Sequence, residues 1–123
     1  MATAESVIVR SGLSVDPMEF RDVTFTEMPC PMRTVFGERA AAITLGDRIF
    51  IRPDTFEDVV AGLHPTLVVH ELVHVAQWRR DGRWFLPRYL SQYFRFRLLG
   101  ISHETAYRSI SYEVDAYAAS NLS

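Results

Sequence analysis

The segment His70-Glu71-Leu72-Val73-His74 places two imidazoles four residues apart with a carboxylate beside the first. On a helix, positions i and i+4 lie one turn apart on the same face, so both rings can bind one ion. Zn²⁺ suits two neutral imidazoles, a carboxylate and a water, with one position left open for a substrate. Glu71 is then placed to take a proton from water whose pKa the ion has lowered. With four histidines and eight glutamates in 123 residues, chance produces this pattern about once in a hundred such chains, so its surroundings must decide. Leu67, Val68, Val69, Leu72, Val73, Val75 and Ala76 make the helix apolar nearly all round, which places it in the interior. Burying three polar side chains there is costly unless something satisfies them, and a metal does so. The competing reading is a pair of hydrogen-bonded core histidines, with Glu71 paired to an arginine.

A closing ligand must come from elsewhere in the chain, and His64, His103, Glu104, Glu113 and Asp115 are the candidates. Read as one helix, the last segment lines up His103, Ala106, Tyr107, Ile110, Glu113, Val114 and Tyr117 in a single stripe. Glu113 is the acid inside that otherwise apolar stripe and needs a partner, which favours it, with His103 next. Glu104 already suits a helix start, and Asp115 points to another face. Hydrolytic chemistry also needs a donor for a developing oxyanion, and Tyr107, Tyr112, Tyr117, His103 and Arg108 are near Glu113 in sequence. Tyr117 and Tyr107 are the ones singled out, although core tyrosines with satisfied hydroxyls are common. Cys30, between two prolines, is an inert loop cysteine or, less readily, a thiolate ligand.

The elements that must position these groups divide the chain into a strand-rich first half and a helical second half. Val7-Ile8-Val9 and Val23-Thr24-Phe25-Thr26 read as short strands. Ala40 to Leu45 and Arg48 to Arg52 flank Gly46-Asp47, the pattern of a two-residue hairpin, and the second strand is a candidate exposed edge. Asp54 and Glu57 form a capping-box pattern that opens a short helix to about Ala61. His64-Pro65 starts the metal-motif helix, which runs to Asp81-Gly82. Further helices are expected from Pro87 to Leu99 and from about Ser102 to Ser120. The expectation is one α+β domain over residues 1–123: a small N-terminal antiparallel sheet or hairpin, a buried motif helix and two further helices, the last carrying the closing ligand.

His70-Glu71-Leu72-Val73-His74-Val75-Ala76-Gln77, followed by Tyr112-Glu113-Val114-Asp115-Ala116, resembles the short gluzincins. In particular it is similar to the metallopeptidase-like domain found in proteins associated with extracellular contractile injection systems. That family pairs His-Glu-x-x-His-x-x-Gln with a later Tyr-Glu-x-Glu-Ala-like segment, and a hairpin like that of Ile43 to Ile51 precedes its metal helix. The resemblance spans roughly residues 40–120. It implies a zincin-like fold, zinc ligands His70, His74 and Glu113, and Glu71 as catalytic base. Asp115 stands where the family often has Glu, and a long aromatic-basic insert separates the two motifs. The implied activity is zinc-dependent peptide hydrolysis, with a peptide or protein as substrate. A zinc-holding interaction module without turnover is the alternative.

Bulk composition fits a globular chain, with 48% hydrophobic and 23% charged residues. All thirteen basic residues are arginine. A net charge of −2 predicts no general attraction to nucleic acid or to an anionic membrane. No stretch approaches the roughly 20 apolar residues that span a bilayer, and no N-terminal signal is evident, so a cytoplasmic location is expected, with signal-less export left open. One segment runs against the average: residues 78–97 hold six arginines against one acid, together with seven aromatic residues. The sequence favours a helix that packs its aromatic face on the core with arginines solvated outside; membrane or nucleic-acid binding is the third reading.

Overall fold

The computed structural model describes residues 1–36 and 41–121. Four short strands, β1 (Ala2–Thr3), β2 (Thr24–Glu27), β3 (Ala42–Leu45) and β4 (Arg48–Ile51), form one sheet in the order β1-β2-β4-β3. Ala40, part of the expected first hairpin strand, lies outside the described residues. The hairpin itself forms as read, with Gly46 at φ 64° supplying the turn and Leu45 opposite Arg48. The sheet, however, is mixed rather than antiparallel, because β2 runs parallel to β4. That pairing places β4 inside the sheet, so the edge on this side is β3 and not the strand Arg48 to Arg52.

The helices are α1 (Ala4–Ser11), α2 (Cys30–Phe36), α3 (Pro53–Val60), α4 (Pro65–Asp81), α5 (Phe85–Leu98), α6 (His103–Ser109) and α7 (Ser111–Asn121). Val7-Ile8-Val9, expected as a strand, lies in α1. Thr3 caps that helix by accepting from the Ser6 amide, and Gly12 closes it in the left-handed conformation. The helix buries Ala4, Val7 and Ile8 while Val9 faces solvent, a helical rather than an alternating pattern. Cys30 opens α2 instead of sitting in a loop and is exposed. Asp54 is not the cap of α3: Pro53 occupies the first turn after Arg52, and Asp54 pairs with the Arg52 guanidinium.

One face of the sheet is covered by helices, and the register decides which side chains reach them. Ala2, Phe25, Ile49 and Thr44 form one cross-strand row, and Ile51 with Ala42 belongs to the next row on the same face. Phe25, Ile49 and Ile51 are fully buried there with Ala4, Val7, Ile8, Val59, Val68 and Val75 of α1, α3 and α4. Thr44 is the polar member of its row, and it faces α4. Gly62, between α3 and α4, has φ +88° and lies so close to the Arg10 carbonyl that a Cβ would clash with it. A second, smaller core of Phe85, Ile110 and Tyr112, flanked by Trp78, Tyr89 and Tyr93, joins α5 to α7. Among the described residues, no single helix is long and apolar enough to cross a membrane.

Candidate metal centre

Pro65 starts α4 and Gly82 ends it, and the helix between carries His70, Glu71, His74 and Gln77, all buried. The last segment is not the single helix expected. Ile110 adopts an extended conformation (φ −61°, ψ 132°), and the chain restarts as α7 at Ser111. The restart turns Val114 outward, although the stripe had placed it inside, and directs Tyr112, Glu113 and Ala116 onto α4. Glu113 itself is 2% exposed.

Both histidines converge on one oxygen of that carboxylate. His70 Nε2 lies 2.9 Å and His74 Nε2 3.0 Å from Glu113 Oε1. Among the described residues, His70, His74 and Glu113 are the group whose ligand atoms could hold one metal ion. The other candidates for the closing position are elsewhere. His64 sits exposed before α4, Glu104 pairs with Arg108, Asp115 is exposed, and His103 Nδ1 is 2.7 Å from the Tyr93 hydroxyl.

The hydrogen-bond network tests whether this set suits a metal. Gln77 Nε2 donates to the Tyr112 carbonyl (3.0 Å), so its Oε1 must face His74 and accept from Nδ1–H (2.8 Å). That bond fixes the proton on Nδ1 and turns the Nε2 lone pair toward Glu113 Oε1. Two lone pairs would face one another unless a cation lies at the centre. In the metal-free chain the cation is a proton: burial opposes the charged form of His74, but its bond to Glu113 and the nearby Glu71 carboxylate outweigh that and raise its pKa to about 9. Glu113 shows the reciprocal effect, since burial pushes its pKa up while bonds from His70 and His74 hold it well below the usual carboxylate range. Two imidazoles and a carboxylate, with an amide fixing one tautomer, fit a divalent ion as well.

Two side chains that the sequence did not single out complete the centre. Tyr89 of α5 donates to Glu113 Oε2 at 2.6 Å, leaving Oε1 for the histidines. Its ring stacks on Tyr112 at 8°, and burial followed by the Glu113 charge pushes its pKa up. Thr44 Oγ1 donates to Glu71 Oε2 at 2.7 Å, and the Thr44 carbonyl accepts from Trp78 Nε1 at 3.1 Å, which ties β3 to α4. The alternation of β3 carried the signal for Thr44, but β3 had to be paired with Ile49 before it could be read. Tyr89 had no such signal within one helix. Burial raises the pKa of Glu71, against the opposing influence of His74 and the Thr44 bond. Tyr117 packs edge-on against His70, with ring centroids 4.5 Å apart, beneath Arg108. Tyr107, half-buried, has its pKa raised first by burial and then by the Glu113 charge.

An α+β domain with a buried two-histidine, one-glutamate cluster is the class of protein this arrangement defines. The model of the eCIS core domain matches residues 18–82, slightly over half of the chain, and the chain belongs to that family. The match takes in His70, Glu71, His74 and Gln77 and ends before Glu113. No curated protein and no solved structure gives a match.

Proposed function

We propose that this chain is a zinc-dependent peptidase of the gluzincin type, with His70, His74 and Glu113 holding the ion. The observation that carries the reading is the convergence of both Nε2 atoms on Glu113 Oε1, with Glu71 adjacent to His70 on the same helix. Zn²⁺ bound there supplies Lewis-acid polarisation of the scissile carbonyl and lowers the pKa of water. Glu71 takes a proton from the attacking water and passes it to the leaving amine as the C–N bond breaks. Burial raises its proton affinity for that exchange, and Thr44 orients it by holding Oε2. Tyr117, against His70, and Tyr107 are the hydroxyls assigned to donate to the oxyanion, and Tyr107, like Tyr89, would have to leave the Glu113 carboxylate to do so.

A second reading, a metal-holding interaction module without turnover, is favoured by one observation: Glu71 is only 5% exposed with one oxygen already engaged. Metal analysis and a denatured-protein or peptide-library digest separate the two. The wild type should carry about one zinc and cleave. His74→Ala should lose the ion, whereas Glu71→Gln should keep it and lose cleavage. Zinc retained by His74→Ala would overturn the ligand assignment, and zinc-loaded wild type without cleavage would assign the module.

A further inference from the structure

The expected picture of α5, aromatic face inward and arginines outward, describes only part of that helix. Phe85, Tyr89 and Tyr93 do pack inward. The adjoining face, about a third of a turn round the helix, is a line of Leu86, Leu90, Phe94 and Leu98 spaced four residues apart and exposed by 41, 41, 56 and 89%. Trp84 continues it at one end and Leu99 at the other, at 55 and 68%. These six are half of the large apolar side chains left exposed among the described residues. A helix whose apolar surface extends this far beyond its buried stripe leaves that extension without a partner.

The charges around this ridge identify what would cover it. From Gly82 to His103 the chain has no acid, while Arg83, Arg88, Arg95 and Arg97 lie along it. Among the described residues Arg95 and Arg97 have no carboxylate partner, and Arg97 donates to the Ile101 carbonyl. A second copy laid ridge to ridge would bring these arginines together and be repelled. Nucleic acid would meet the arginines but leave three leucines on the helix unburied. An amphipathic peptide helix docks in a groove, whereas these side chains stand 41–89% exposed along a single helix. A flat surface with an apolar interior and anionic headgroups matches both components.

We propose that the outward face of α5 docks on an anionic lipid surface, with Leu86, Leu90, Phe94 and Leu98 entering the headgroup–acyl boundary and Arg95 and Arg97 meeting phosphates. None of these side chains belongs to the metal centre, and the proposal rests on no hydrolytic activity. Trp84 provides a native probe. Its emission should shift to the blue on vesicles of phosphatidylcholine containing about one third phosphatidylserine, and not on phosphatidylcholine alone. Trp84→Phe should remove the shift while leaving co-sedimentation in place, because Trp78 is anchored on the Thr44 carbonyl. The double change Leu90→Ser and Phe94→Ser should lower vesicle binding at least about tenfold. Each of Arg95→Gln and Arg97→Gln should lower it roughly fivefold. All four side chains are exposed, so circular dichroism should be unchanged. Absence of binding to the anionic vesicles would overturn the proposal, as would equal binding to neutral ones. A wild-type dimer abolished by the Leu90→Ser and Phe94→Ser change would also overturn it, by assigning the ridge to a second copy.

Discussion

Gln77 bears no ligand atom, yet the geometry makes it decide which nitrogen of His74 faces the centre. Gln77→Met keeps the length and flexibility of the side chain while removing both hydrogen bonds. It leaves the His74 Nδ1–H and the Tyr112 carbonyl without partners at a position where Gln77 is 4% exposed, so water does not replace it. At about 1–3 kcal/mol per orphaned buried group, and with a thioether as a weak acceptor for one of them, the metal-free chain should lose about 2–4 kcal/mol. Loss of the tautomer-fixing bond should weaken metal affinity by roughly 10–100-fold. Gln77→Glu separates the two effects. Its carboxylate still accepts from Nδ1–H but cannot donate to Tyr112, so affinity should stay within about threefold of wild type while stability falls. Urea unfolding of the chelated protein measures the first quantity, and competition with a chromophoric chelator measures the second. Wild-type affinity in a folded Gln77→Met variant would refute the claim that this amide sets the tautomer.

Two other perturbations test the electrostatics and the frame. In the metal-free chain the pKa of His74 is raised from 6.5 to about 9, so its contribution is fully present below pH 6.5 and is lost as pH rises through 9. Stability should therefore fall by about 3 kcal/mol across that window, and saturation with zinc, which requires neutral imidazole, should flatten the slope. A flat profile without metal would count against a protonated His74. Gly62→Ala combines a positive φ with a clash against the Arg10 carbonyl and should cost about 3 kcal/mol or more, read as a lower urea midpoint. A near-neutral outcome would mean that the loop between α3 and α4 can move away from α1.

The sequence made legible what depends on local chemistry. Gly46 fixed the hairpin, Pro65 and Gly82 fixed the ends of α4, and the four-residue spacing put His70 and His74 on one face. Glu113 was found through its placement among apolar residues, although the break at Ile110 means that the stripe argument reached it with the wrong neighbours. What local patterns cannot encode is pairing. The parallel β2–β4 contact required knowing which strands meet, and with it went the identification of β3 as the edge and of Thr44 as the partner of Glu71. Tyr89 was invisible for the same reason, since nothing in α5 says that one of its tyrosines meets a carboxylate 24 residues on. Val7-Ile8-Val9 shows the limit of propensity: three β-branched residues went into a helix because Thr3 and Gly12 cap it and a core lies on one side.

The position of Glu113, beyond the family-matched stretch, gives the centre a topological role. Contact between His74 and Glu113 closes a 39-residue excursion that contains α5 and α6. An ion shared across that closure would be a removable cross-link. Because the unfolded chain has no preformed site, such an ion would stabilise the closure by its binding to the folded chain, and chelation would remove that stabilisation. The sheet and α1 lie outside the closed span, whereas the apolar ridge lies within it. Metal availability would thus set how firmly the aromatic-arginine segment is tethered to the body of the domain, independently of whether any bond is hydrolysed.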